Sequence, residues 1–118
     1  MSTRVVTQNN LDLAVIELRG SLVGGEETDD LKKVAKDLLE QGNRKLVIDL
    51  ERTDYINSPG IGSLVHILLA YKEKDGIVKL CSLGKHVQNT FVITKLTKVF
   101  DIEDTRKQAI QSFEHSVA

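Results

Sequence analysis

Three short apolar runs, each bounded by turn residues and separated by stretches of helical period, narrow this chain to one broad architecture. Leu13–Leu18 (LAVIEL) is closed off by Gly20, Lys45–Leu50 (KLVIDL) comes after Gly42–Asn43, and Ile77–Ser82 (IVKLCS) follows Gly76. Near-continuous apolar runs of this length suit strands buried on both faces. Val5–Gln8 is a weaker strand candidate, read as pairing with Leu13–Leu18 in an N-terminal hairpin across Asn9–Asn10.

The intervening segments carry the helical signal. Glu26–Gln41 sets Leu31, Val34, Ala35, Leu38 and Leu39 on one stripe. Its first turn holds Glu26, Glu27, Asp29 and Asp30, the sign of charge that a helix N-terminus favours. Gly42–Asn43 stops it. A second helix is expected from about Pro59 to Lys74, with Ile61, Leu64, Val65, Leu68 and Leu69 as its stripe. Lys85–Thr94 and Arg106–His115 read as shorter helices, with Val87 and Phe91, then Ala109, Ile110 and Phe113, facing inward. The order is ββαβαβα plus a C-terminal helix. Such alternation predicts an α/β fold with parallel crossovers, made a single mixed β-sheet flanked by helices by the initial hairpin.

Composition removes several classes of function. At 118 residues the chain is expected to be one domain, residues 1–118, large enough to bury a core without staples. No apolar stretch is long enough to cross a bilayer and MSTRVVTQNN lacks a signal-peptide core, so a cytoplasmic protein with no membrane partner is expected. Sixteen basic residues against seventeen acidic ones, evenly spread, argue against a nucleic-acid footprint, as do only five aromatics. Cys81 is single and is read as a small core residue. His66, His86 and His115 fall at no metal-ligand spacing, so no metal is expected. Gly60-Ile61-Gly62 lacks the Lys-Ser/Thr of a phosphate-binding loop, and Ser58 is not in a Gly-x-Ser-x-Gly elbow. Neither a cofactor nor catalysis is expected.

The informative segment is Thr53–Ser63 (TDYINSPGIGS), read as the loop that leads from the strand at 45–50 into the second helix. In open α/β sheets such loops lie at the carboxyl ends of strands, where ligands and partners bind. Ser58 is placed as the N-cap and Pro59 as the first helical residue. Gly60 and Gly62 allow close backbone approach. A hydroxyl at a helix N-terminus sits where anions are stabilised, which makes Ser58 either a simple cap or a phosphorylation site. Ser63 is read as a solvated helix residue, and Asp49, inside an apolar run, as a structural carboxylate that requires a hydrogen-bond partner.

The block KLVIDLERTDYINSPGIGSLVHIL resembles the core of STAS domains, as found in bacterial anti-sigma factor antagonists. There a strand ending in Asp-Leu leads to a phrase like Asp-Ser-Ser-Gly-Leu-Gly and then an apolar helix. Here the phrase is Asn57-Ser58-Pro59-Gly60-Ile61-Gly62. Leu18-Arg19-Gly20-Ser21-Leu22 is similar to the family's turn after the second strand, and Lys95–Ile102 to its "LT…VF.I" segment. The resemblance implies a STAS fold and a switch without catalysis. The partner would be an anti-sigma factor that is also a GHKL-type serine kinase. It would be bound when Ser58 is unphosphorylated and released when the kinase phosphorylates Ser58 from ATP. A PP2C-type phosphatase would restore binding. Val23, Gly24 and Gly25 with Asn57, Ser58, Pro59, Gly60, Ile61 and Gly62 would form the partner-facing surface, on a protein monomeric when free.

Three positions depart from the family pattern. Asn57 and Val23 each stand where Asp is usual, and Pro59 replaces a small residue and lacks an N–H. A member with a changed switch would be a scaffold of the stressosome type or an accessory subunit of a lipid-transport complex. An anion- or nucleotide-binding regulatory module is the third reading.

Overall fold

The computed structural model describes residues 2–8 and 12–115. The strands are β1 (Ser2–Gln8), β2 (Leu13–Leu22), β3 (Lys45–Ile56), β4 (Ile77–Cys81) and β5 (Asp101–Glu103). The helices are α1 (Glu26–Glu40), α2 (Ser58–Glu73), α3 (Lys85–Ile93) and α4 (Arg106–His115), with a short 3-10 turn at Leu96–Lys98. The strands form one sheet in chain order, with β1 antiparallel to β2 and every later neighbour parallel. The expected element order holds with one addition. The short strand β5 pairs Asp101–Glu103 with Lys79–Cys81, too brief to leave a periodic signal. Asn9–Asn10, the expected hairpin turn, lies outside the described residues.

The two faces of the sheet are covered unequally. Ala14, Ile16 and Leu18 of β2, Leu46, Ile48 and Leu50 of β3, and Val78 and Leu80 of β4 point to the main core, closed by α1, α2 and α3. The alternate residues Leu13, Val15, Val47 and Cys81 meet Ala109, Ile110 and Phe113 of α4. Because both faces are covered, the strands read as continuous apolar runs. The stripe of α1 buries as expected through Leu31, Ala35 and Leu38. Of the stripe of α2, Leu64 is buried and Ile61, Val65 and Leu68 pack half-buried against the core, while Leu69 is exposed; Gly60, Ser63, Ile67 and Tyr71 are buried in addition.

Asp49 and Lys79 are buried charged residues under α4, and Lys79 Nζ donates to Ser112 Oγ at 2.7 Å. The Asp49 carboxylate accepts from the Glu51 amide at 2.9 Å and from Arg106 Nε at 2.8 Å. Arg106 also donates to Glu17 at 2.6 Å. Burial opposes the Arg106 charge, but the two carboxylates outweigh it and hold the guanidinium above its ordinary range. Asp49 thus has the structural partner that its burial requires. Cys81 lies beside it, buried, and burial together with the Asp49 charge pushes its thiol up to about 12. It is a core residue, as expected.

Candidate interaction site at the carboxyl edge of the sheet

The strand before the serine segment is longer than its sequence shows. β3 runs on to Ile56, so Glu51–Ile56 is strand and not loop. The β-branched and aromatic residues Thr53, Tyr55 and Ile56 suit an extended chain. The regular alternation is lost because the β2–β3 register shifts between Glu17 and Arg19 and again between Gly20 and Ser21. Thr53 is buried and donates to the Leu18 carbonyl at 3.2 Å. β4 pairs with β3 only as far as Asp49↔Cys81, whereas β2 and β3 continue together to Leu22↔Ile56. A two-stranded ribbon therefore projects past the sheet, and its two ends deliver Val23–Gly25 and Asn57–Gly62 side by side.

Asn57 joins these two segments. Its side-chain Nδ2 donates to the Val23 carbonyl at 2.9 Å, and its Oδ1 accepts from the Gly60 amide at 3.0 Å. Its own amide donates to the Leu22 carbonyl at 3.2 Å. Asn57 is therefore the N-cap of α2 and Ser58 is its first helical residue, a correction of the expected Ser58 cap. The reason is geometric: Asn57 has the extended backbone of a cap, φ −120° and ψ −176°, and a side chain long enough to serve both neighbours. Pro59 falls at the second helical position, where an amide has no partner within the helix in any case.

The remaining site residues divide by exposure. Ser58, Pro59, Gly62, Val23 and Gly25 are exposed, Asn57, Ile61 and Gly24 are half-buried, and Gly60 is buried. A Cβ at Gly60 would lie 2.0 Å from the Leu22 carbonyl oxygen, so its glycine serves helix-to-strand approach and presents no surface. Gly24 has φ +96° and a Cβ there would meet Pro59 at 3.0 Å. Its amide donates to Thr28 Oγ1 at 2.7 Å, which anchors the loop to the first turn of α1. Ser63 is not the solvated residue expected: it is buried and donates to the Gly60 carbonyl at 2.6 Å. Ser58 is left as the exposed hydroxyl on the first turn of α2, a turn with no acidic residue.

Two residues on the same edge had no role in the sequence reading. Tyr55, 46% exposed, stacks on His86 of α3 with ring centroids 5.0 Å apart and planes 15° from parallel. The stack extends the edge toward α3. Nothing in the linear pattern pairs a residue at the end of β3 with one at the start of α3. His66 is exposed on α2. Among the described residues no group of histidine, cysteine and carboxylates could hold a metal, and no helix is long and apolar enough to cross a membrane.

Known proteins share this fold. The chain is 26% identical over 108 residues to BtrV of Bordetella bronchiseptica, named as an anti-sigma factor antagonist, covering 92% of this chain and 93% of the relative. It is 26% identical over 86 residues to the anti-sigma-B factor antagonist of Staphylococcus aureus, covering 70% of this chain and 80% of that protein. Among solved structures, an anti-sigma factor antagonist of Thermotoga maritima superposes with a TM-score of 0.84 at 23% identity, covering 93% and 92% of the two chains. SpoIIAA of Bacillus in its phosphorylated form superposes with a TM-score of 0.74 at 17% identity, covering 95% and 99%. At those identities the structures attest to the fold. The model of the STAS domain matches residues 4–109, nearly the whole described chain, and on that match the chain belongs to the STAS domain family.

Proposed function

We propose that this protein is a phosphorylation-controlled binding switch that acts as an anti-sigma factor antagonist, with Ser58 as its phosphoacceptor. Unphosphorylated, it docks its carboxyl edge on an anti-sigma factor that is also a GHKL-type serine kinase. Transfer of the ATP γ-phosphoryl group to Ser58 releases it, and a PP2C-type phosphatase returns it to the binding state. It acts by binding, with no chemistry of its own. Asn57, Ser58, Pro59, Ile61 and Gly62, with Val23, Gly24 and Gly25, form the contact surface, while Gly60 holds the helix against the strand.

The observation that carries this reading is the exposed Ser58 hydroxyl on the first residue of α2, in a turn otherwise free of charge. Phosphorylation adds about −1.5 to −2 charges there. The α2 dipole, equivalent to roughly half a positive charge at this end, tolerates the phosphate within the fold. A partner seated over the uncharged loop must desolvate that charge to stay bound, and so dissociates. The names of the relatives and the phosphorylated structural neighbour support the same reading. Asn57 and Pro59, which depart from the family pattern, both have structural uses as cap and second helical residue.

Intact mass and peptide mapping after incubation with ATP and the kinase encoded nearest its gene test the proposal. One adduct of about 80 Da on Ser58, absent from Ser58→Ala, together with loss of kinase binding by the purified phosphoprotein, is the expected result. Stable binding to an active kinase without any adduct would leave a non-switching scaffold as the function.

A further inference from the structure

A second feature of the α1–α2 layer lies away from Ser58 and is not needed for the switch. A half-open groove of about 770 Å³ runs between the middle and C-terminal half of α1 and the C-terminal half of α2. Its floor is apolar: Ala35, Leu39, Ile67 and Ala70, with the Tyr71 side chain at one end. Its rim is cationic. Lys32, Lys33, Lys36, Arg44 and Lys74 line it against two carboxylates, Glu40 and Glu73, in a chain whose net charge is −1. His66 adds an imidazole ring to the α2 side.

Arg44 is held in place, since its Nη1 donates to the Leu39 and Asn43 carbonyls at 2.9 Å. Lys32 and Lys36 pair locally with Asp29 at 3.4 Å and Glu40 at 4.0 Å across exposed side chains. Such surface pairs are weak and exchange readily for another carboxylate. Lys33 and Lys74 are exposed and have no acidic partner among the described residues.

From this cationic rim and apolar floor we infer that the α1–α2 groove is a docking site for an acidic amphipathic helix of a partner protein. The charge complementarity decides the occupant. Three cations lie on successive turns of α1, Arg44 follows that helix and Lys74 caps α2, a spread that matches carboxylates distributed along an extended ligand. A helix laid in the groove sets apolar residues at i, i+3, i+4 and i+7 on the floor and its carboxylates against the lysines. Floor burial supplies affinity, and the rim supplies selectivity and association rate. This site is independent of Ser58.

The probe is a fluorescein-labelled helical peptide with leucines at i, i+3, i+4 and i+7 and glutamates elsewhere, titrated with the full chain by polarisation. Its counterpart with every glutamate replaced by lysine is the control. The glutamate peptide is expected to bind saturably and less tightly as salt rises, and to shift backbone amide resonances around Lys33, Ala70 and Lys74. The Lys33→Glu/Lys74→Glu double variant, both positions exposed, is expected to lose at least about tenfold in affinity with an unchanged unfolding midpoint. Ser58→Ala is expected to bind the peptide like the parent, so a failed phosphorylation assay leaves this result standing. No saturable binding, equal binding of the lysine peptide, or indifference to the double variant would overturn the inference. So would tighter binding, abolished by the same variant, of pyrophosphate or of phosphatidylserine vesicles, which would make the groove a small-anion or membrane site.

Discussion

At the carboxyl edge of the sheet, α1 and α2 begin within hydrogen-bond reach of each other's loops. At the amino edge the same two helices end with an open groove between them. The first end is closely fitted, and its charge is the acidic first turn of α1: Asn57 ties Val23 to Gly60, Gly60 touches the Leu22 carbonyl, and Pro59 lies against Gly24. The second is cationic, and its polar order lies beneath the surface. Asn43, fully buried, accepts from the Tyr71 hydroxyl at 2.8 Å and donates to the Lys45 carbonyl at 3.1 Å. Burial raises the Tyr71 hydroxyl above its ordinary pKa, with the Arg44 charge working against the shift. The contrast teaches that close fit carries the first end and side-chain charge the rim of the second. Substitutions at the first should therefore act through fit, and those on the rim of the second through charge with little effect on stability.

The sharpest break of that comparison is Gly60→Ala. Its methyl would sit 2.0 Å from a backbone oxygen that cannot rotate away. The expected loss is about 3 kcal/mol, at the upper end of ordinary overpacking, read by denaturant unfolding. A loss below about 1 kcal/mol would mean that the ribbon and α2 can separate freely. Asn57→Ala comes next, at about 1–2 kcal/mol, because the α2 cap and the bridge to Val23 go together. Tyr71→Phe tests the other end through its buried hydroxyl and should cost about 1 kcal/mol in the same measurement. Gly62→Ala, where an added Cβ meets nothing within 4 Å, should raise stability by about 0.5–1 kcal/mol through helix propensity. The smallest effect is expected for Ser58→Ala, within about 0.5 kcal/mol, since Ser58 is not the cap. A loss of about 1 kcal/mol there would restore Ser58 as the cap and weaken the case that its hydroxyl is free for a partner.

The strands buried on both faces were legible because their runs are continuously apolar, and α1 because its stripe is narrow and its ends are marked. The buried face of α2 was legible only in part. Ile61–Tyr71 is apolar around most of the helix, so periodicity alone admits Leu69 as readily as Ile67 or Tyr71. The approach of Gly60 to Leu22 fixes the rotation that exposes Leu69 and buries Tyr71. Ser63, read as solvated, is turned inward by that same rotation. At the candidate site, the serine segment and its neighbour Val23–Gly25 could be found from motif and resemblance. Tyr55 with His86 could not, since their contact spans two elements.

The chain's order of apolar runs, helical stripes and punctuating glycines determined by itself the layers, the parallel crossovers and the segment worth attention, because these are local signals of burial and turn geometry. Only the tertiary structure decided which residue caps α2, which glycine is locked, where β3 ends, and that five cations scattered from Lys32 to Lys74 share one groove. The physical reason is that capping, close approach and surface charge depend on distances between segments far apart in sequence, which no local pattern records.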